Sequence, residues 1–468
     1  MIRFFVIALA IVGFGSPVRA DWPTHRGNPQ RTGSDDGKAG PKQPKVLWVF
    51  ESSEHFIASP VAGQKELLVS GLGTFNTASL HNLNIDPVAE KREIWVKRPP
   101  YLKQAMACPP IIAEGKIIFG DGMHQTDGAT LHCLTYPAGI AIWQLPVPGT
   151  LVHLEGSPAM EKGRIYIGGG AAGVMCVDAN RVTINGRDTT LAEAQKLIET
   201  KWKELSEAYE KDKVKDPDFA IPPSEDALPK ANPKLLWQKG KDKWHVDAAV
   251  TVFEGKVLVA SAYLDNEKLG ERGLICLDAN TGAQKWERKL DHNPWGGASV
   301  AGKLALIGCS SIRFEPKDVP GQGEIVAADL ENGDVKWKKN LPGGVVSPIA
   351  VADGLAIFTC ADGKVRAVDA VSGDDQWTYE GKAAFFGGPA VGGAVAYAAD
   401  LKGVVHAVGL NDGKARWTLD LAADPAVMAP GMVYGSPILH DGKVFVATCN
   451  IEAGPEAMKT VVVCIGEQ

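Results

Sequence analysis

Past residue 20 the chain has no apolar run long enough to cross a membrane, no basic tract and no Cys-x-x-Cys pair. Each absence excludes something. A membrane helix needs about 20 consecutive apolar residues, and none is present. A formal net charge of −6 without Lys/Arg clusters offers no electrostatic grip on nucleic acid. Without paired cysteines, covalent haem attachment and zinc ribbons fall away. No Gly-x-Ser-x-Gly elbow, His-Glu-x-x-His helix or phosphate loop occurs, so hydrolase, zinc-peptidase and nucleotide chemistry have no motif to rest on. The acidic stretches "DHNPW" and "DLENGD" lack the spacing of a calcium hand.

The opening "MIRFFVIALAIVGFGSPVRA" is of another kind. Arg3, an apolar core from Phe4 to Phe14 and a small-residue site at Ala20 predict a secretory signal peptide over residues 1–20. Cleavage there removes Arg3 and Arg19 and takes the net charge from −6 to −8 over 448 residues. No Cys follows the cut, so no bacterial lipid anchor is indicated. The expectation is an exported protein, periplasmic or extracellular, with residues 21–44 as a lead-in segment.

Eight cysteines in an exported chain would ordinarily suggest disulfides. Their positions predict otherwise. Cys133, Cys176, Cys276 and Cys464 hold one place in "LHCL", "VMCV", "LICL" and "VVCI"; Cys309, Cys360 and Cys449 share another in "ALIGC", "AIFTC" and "FVATC". A cysteine recurring once per module behaves as a small buried hydrophobe. Cys108 belongs to neither set.

What is abundant is glycine, 52 in all, and a repeat. "LICLDANTGAQKW" is an apolar run, an Asx-and-Gly reversal and a second strand carrying Trp286, which together predict a β-hairpin. The pattern returns at "AADLENGDVKW", "AVDAVSGDDQW", "AVGLNDGKARW" and "CLTYPAGIAIW", each with Gly four residues before Trp. Looser copies end at Trp95 and Trp237, and Trp48 stands without a hairpin before it, so the set is Trp48, Trp95, Trp143, Trp237, Trp286, Trp337, Trp377 and Trp417. Two further signals recur eight times in fixed order: a turn such as "GSPAM" or "VSPIAV", then a strand such as "RIYIGG" or "LAIFTC". Late Trp spacings of 40 to 51 residues suit one propeller blade.

These signals predict an all-β, eight-bladed propeller of four-stranded blades over residues 45–468. The last module ends at "VVVCIGEQ" without a Trp strand, and the N-terminal "KVLWVF" supplies it, closing the ring. One insertion, residues 185–232 in the third blade, contains a Thr190-x-x-Glu193 capping box. Leu191, Ala194, Ile198, Trp202, Leu205 and Tyr209 follow as a helical stripe, expected to pack on the blade, with a partner-docking face as the alternative.

The hairpin Ala/Cys-x-Asp-x-x-x-Gly-x-x-x-Trp resembles the repeat of the pyrroloquinoline-quinone (PQQ) propellers. Cys276, Asp278, Thr281, Gly282 and Trp286 match it fully, and Ala367, Asp369, Gly373 and Trp377 match with Ser372 for Thr. Gly409 and Thr135 replace the Asp in two other copies, and "DWPTHRGNPQRTG" is similar to the lead-in of exported members. The resemblance implies that each Trp docks on the neighbouring hairpin. It also implies one of two functions. Quinoprotein alcohol dehydrogenases hold PQQ and calcium, typically beneath an adjacent Cys-Cys disulfide, which this chain lacks. BamB-like members are non-catalytic scaffolds at the outer membrane, normally carrying the lipid-anchor Cys that is missing here. The expected function is a binding or assembly scaffold without cofactor, its partner another protein or a small polar ligand at the propeller face. PQQ with calcium, in an oxidoreductase, is the alternative.

His81, His132 and His406 share one place in the third strand, where packing is expected. A second histidine register points to a site. Ten residues before Gly163, Gly255 and Gly302 stand His153, His245 and His292, and His55 holds the matching place in the first blade. The register falls in the loop returning to the innermost strand, near the channel mouth. Two residues on, Glu155 and Asp247 supply carboxylates. Such a set can bind a divalent metal or a polar ligand, with His153, Glu155, His245 and Asp247 as the core; the competing expectation is that each His caps its own loop.

Overall fold

The repeat folds for reasons local to its turn. Leu269–Asp278 and Gln284–Lys289 pair antiparallel, with Cys276 opposite Trp286. Between them the Asp278 carboxylate accepts from the amides of Asn280 and Thr281, both at 3.0 Å, and Gly282 reverses the chain at φ 68°. Asp369 does the same for Val371 and Ser372, with Gly373 at φ 79°.

Glycine is needed at these turns for a second reason. A Cβ on Gly282 would stand 2.8 Å from the Trp237 ring, and one on Gly373 would stand 2.7 Å from the Trp337 ring. Each indole lies flat against the turn of the next blade and donates Nε1–H to the carbonyl just after the turn Asp or its equivalent. The bonds run from Trp237 to Ala279 (3.2 Å), Trp286 to Leu330 (3.0 Å), Trp337 to Ala370 (3.2 Å) and Trp377 to Leu410 (2.5 Å). Trp417 reaches Pro41 (2.7 Å), Trp48 reaches Ile85 (3.3 Å) and Trp95 reaches Pro137 (2.8 Å), so the docking runs around the molecule. Trp143 is the exception: its Nε1 is buried without a hydrogen-bond partner. It faces the blade whose outer turn is opened by the insertion.

The structure is a computed structural model that describes residues 22–34, 38–124, 126–217, 219–429, 431–451 and 459–467. The leader reading of residues 1–20 lies outside them. Among the described residues strand pairing gives six four-stranded sheets and one nine-stranded sheet, in which two four-stranded sets meet through a single bridge from Ala231 to Trp143 and the insertion adds one strand; together they form a multi-bladed β-propeller. In the first blade, Val61–Ala62, Glu66–Leu72, Ala78–Asn84 and Glu93–Lys97 pair in chain order from the axis outward. The closing set joins both ends of the chain. Lys45–Ser52 is its outer strand and pairs with Thr460–Gly466, with Trp48 opposite Cys464. All eight cysteines are buried and none forms a disulfide, and burial pushes the Cys108 thiol up to about 12.

The insertion begins as a continuation of the sheet. Val174–Ile184 extends past the blade and pairs with Arg187–Thr190 before the helix Leu191–Lys215 starts. Thr190 and Glu193 form the reciprocal capping box. Leu191, Ala194 and Ile198 are buried in one cluster with Trp143, and Trp202 and Leu205 pack partly against it. The helix therefore covers the seam where the Trp docking is interrupted. No helix among the described residues is long and apolar enough to cross a membrane.

The lead-in segment closes one end of the axis. Carbonyls of Trp22, Pro23, Pro29, Gln30, Thr32 and Gly33 accept from Ala62, Ile112, Val252, Val300, Val351 and Val391 at 2.7–3.1 Å. These donors lie on innermost strands of six different blades, whose inner edges would otherwise carry unpaired amides. Arg31 reaches the third blade through its side chain, donating to the carbonyls of Ser157 (3.2 Å) and Pro158 (2.7 Å). Arg26 and Arg31 are wholly buried, and burial lowers both guanidinium pKa values to about 9.

Candidate metal centre at the mouth of the axial well

With one end plugged, the axis becomes a blind well of about 410 Å³. Its wall is built from the residues just ahead of the innermost strands, from Ala58 in the first blade to Gly435 in the last, and His25 of the lead-in forms part of its floor. Trp295, Phe386 and Tyr434 make much of the wall apolar, while His124, Glu155 and Asp247 stand together on one side.

The adjacency of the third and fourth blades creates that polar side. Gly170 and Val246 exchange backbone hydrogen bonds at 3.0 and 3.1 Å, tying the loop of one blade to the next. His245 is pinned to its own blade by its carbonyl, which accepts from Ala262 (2.9 Å), and by its amide, which donates to Ser261 Oγ (3.1 Å). Gly170 lets the His153 ring sit against the backbone, since a Cβ there would lie 3.0 Å from the imidazole.

Asp247 lies between two imidazoles. Its Oδ1 is 2.7 Å from His153 Nε2 and 3.0 Å from His245 Nε2. His124 completes the group. The ring centroids of His124, His153 and His245 form a triangle with sides of 5.1, 5.3 and 5.6 Å. One ligand atom from each ring and one Asp247 oxygen all fall within 4.8 Å of one another. Glu155 stands beside this group. Its carboxylate accepts from the His124 amide (2.6 Å) and so holds the loop that carries His124.

The electrostatics follow from burial and neighbours. Burial works against the Asp247 carboxylate, but the charges and hydrogen bonds of His153 and His245 outweigh it and hold its pKa well below the usual range. Burial likewise opposes the His153 imidazolium, and Asp247 reverses that, leaving the pKa raised. Glu155 is pushed up by burial and then by the Asp247 charge. His124 is lowered by burial and then by Arg313.

Of the residues the sequence singled out, His153, His245 and Asp247 meet, and Glu155 adjoins them. His55 and His292 do not join. His55 lies in the first blade, where its Nδ1 accepts from the Asn450 amide (3.2 Å). His292 is one residue out of register: Asn293 bridges to Ser310, as His55 bridges to Leu72 and His245 to Ala262. A one-residue offset turns a side chain the other way. His124 was missed because it lies in a different connection, between strands Lys116–Gly120 and Ala129–Thr135. In an up-and-down blade that connection opens at the same end as the return loops, which was the available signal.

Residues 296–454 match the PQQ-repeat family model described as outer membrane protein assembly factor BamB. No curated protein matches the chain. Among solved structures, BamB from Moraxella catarrhalis is similar at 12% identity with a TM-score of 0.58, over 91% of this chain and 98% of that one. A europium-containing methanol dehydrogenase is similar at 13% identity with a TM-score of 0.65, over 96% and 98%. The quinohemoprotein alcohol dehydrogenase from Comamonas testosteroni is similar at 14% identity with a TM-score of 0.62, over 96% of this chain and 81% of that one. The chain has the β-propeller fold, and within it residues 296–454 match the PQQ-repeat model. At these identities the solved structures share the fold alone with it, and they include both a BamB and dehydrogenases. On one wall of the well the chain carries a donor set of three imidazoles and a carboxylate.

Proposed function

We propose that this PQQ-like propeller is an exported, non-catalytic binding or assembly scaffold that takes a polar ligand at the mouth of its axial well. The observation that carries the reading is the well itself. It is closed below by the lead-in segment, and its polar groups converge on one wall. A concave, largely apolar site with a few placed polar groups is the usual form of a small-ligand site. The partial family match and the likeness to a BamB support a scaffold, and the leader-like first 20 residues support export.

The second reading, a PQQ- or metal-dependent oxidoreductase, draws on the likeness to the two dehydrogenases. The residues at the mouth do not fit PQQ with calcium. Calcium takes six to eight oxygen ligands, whereas this wall presents three imidazoles and an Asp247 carboxylate engaged by two of them. The eight cysteines are buried and outside any disulfide, and none is adjacent to another. No step through that cofactor is derived. Incubating the mature chain with PQQ and calcium and assaying dye-linked alcohol or sugar oxidation tests the choice. No turnover is expected; saturable, PQQ-dependent turnover would overturn the scaffold reading.

A further inference from the structure

We propose that His124, His153, His245 and Asp247 bind one divalent transition-metal ion of the zinc class, with a coordination position facing the axial well. This deepens the binding reading by naming the ligand of the mouth.

Three observations lead here. The first is spacing. With metal–nitrogen bonds of about 2.1 Å and tetrahedral angles, three coordinated imidazoles have centroids about 5 Å apart. The three rings stand 5.1, 5.3 and 5.6 Å apart, and the four donor atoms lie within 4.8 Å of one another. Three rings sharing no strand, drawn from two return loops and one connection between second and third strands, have no packing reason to form such a triangle beside a carboxylate.

The second is hydrogen-bond satisfaction. At the three third-strand histidines both ring nitrogens find partners, whereas His25 on the floor of the well, like the mouth histidines, keeps a buried Nδ1 without one. His132 has Asp121 (2.9 Å) and Gln144 (3.1 Å), and His406 has Asp400 (3.1 Å) and Tyr379 (2.9 Å). His81 has Ser79 (3.0 Å) and Glu93 (2.8 Å). At the mouth, by contrast, Nδ1 of His124, His153 and His245 are all buried without a hydrogen-bond partner. Three orphaned ring nitrogens in one cluster are costly, and the protein atoms alone do not satisfy it.

The third is access. His153 and His245 are fully buried behind the wall, whereas His124 and Asp247 line the well. An ion among the four is held from behind by two rings and reached from the well in front. Imidazole nitrogen with one carboxylate oxygen selects zinc, copper, cobalt or nickel over calcium and magnesium. Glu155 is a positioning residue here, fixing the His124 loop through its amide.

The test is calorimetry of the full mature chain, stripped with a chelator, against zinc chloride and separately calcium chloride. One zinc per chain is expected, with calcium failing to compete. Loss of second-shell support weakens a metal site about 10–100-fold, so removing two ligands in His153→Ala/His245→Ala should cost at least about 100-fold. His124→Ala, on the half-buried loop, removes one ligand without emptying the wall and serves if the double variant does not fold. His55→Ala, outside the cluster, should bind as wild type. Cobalt(II) should give the visible absorption of a tetrahedral site in wild type and not in His124→Ala. Absence of saturable zinc binding, affinity unchanged in the ligand variants, or calcium binding with equal strength would overturn the proposal. PQQ-dependent turnover, by contrast, would overturn only the scaffold reading, and a failed zinc titration leaves that reading standing.

Discussion

Trp286→Ala tests what holds one blade to the next. The indole is 7% exposed and packs in a cluster with Val326, Ala328 and Leu330 of the following blade. A buried Trp covers about 200 Å², which at roughly 25 cal/mol per Å² amounts to about 5 kcal/mol. The Nε1–H bond to Leu330, 3.0 Å long, adds about 1 kcal/mol, and relaxation around the cavity returns part of the total. The expected cost is about 3–5 kcal/mol, the range found for large-to-small aromatic replacements in cores. Trp202 lies on the insertion helix, half-buried and outside the ring of docked indoles, so Trp202→Ala should cost about 1 kcal/mol. Guanidinium unfolding followed by far-UV circular dichroism measures both without depending on the fluorophore removed. Equal losses at the two positions would refute the assignment of Trp286 as the clamp between blades.

Glycine at the turn makes a sharper comparison: Gly354 has φ 76° with nothing within 4 Å of a built Cβ, whereas Gly373, at φ 79°, would put its Cβ 2.7 Å from the Trp337 ring. Both Gly→Ala changes should cost about 1 kcal/mol in backbone strain, with Gly373→Ala losing measurably more in thermal midpoint; equal shifts would remove the indole from the explanation. Deleting the closing strand, residues 459–468, should lower the melting temperature far more than excising residues 185–230, because the first leaves Lys45–Ser52 unpaired and the second uncovers only the Trp143 seam. The hydrogen bonds from Thr189 and Thr190 hold the Glu193 pKa at about 2, below its ordinary 4.5. Its capping contribution is therefore complete above about pH 4.5 and lost as pH falls through about 2. Exchange protection of the Thr190 amide should follow that course and lose it in Glu193→Gln.

The fold was legible because a propeller blade is written locally. Asp278, Gly282 and Trp286 lie within nine residues, and the turn geometry, the positive φ and the docked indole all act on that short span. Repetition then multiplies a weak signal, and the unmatched Trp48 with the Trp-less "VVVCIGEQ" exposes the closure. The capping box at Thr190 was equally readable, being a matter of four residues. The role of "DWPTHRGNPQRTG" was not, because its partners are backbone amides of six blades spread from Ala62 to Val391.

The candidate centre divides along the same line. Counting back from the second-strand glycine placed His153 and His245 in adjacent return loops, with Asp247 two residues from one of them, and these three meet. The same count also put His55 and His292 in the register. Position along a loop fixes which end of the blade a residue occupies, whereas its distance around the ring and the direction of its side chain depend on inter-blade geometry. His124 entered the cluster from an unrelated loop for that reason, through the Glu155 carboxylate holding its amide. Sequence alone determined the blade, its turn, its indole clamp and its closing strand, since each is a short-range contact or a repeated one. Which three of the ten histidines gather beside one carboxylate was decided only when strands far apart in the chain were rolled around a common axis, because that convergence is a property of the closed ring and of no single blade.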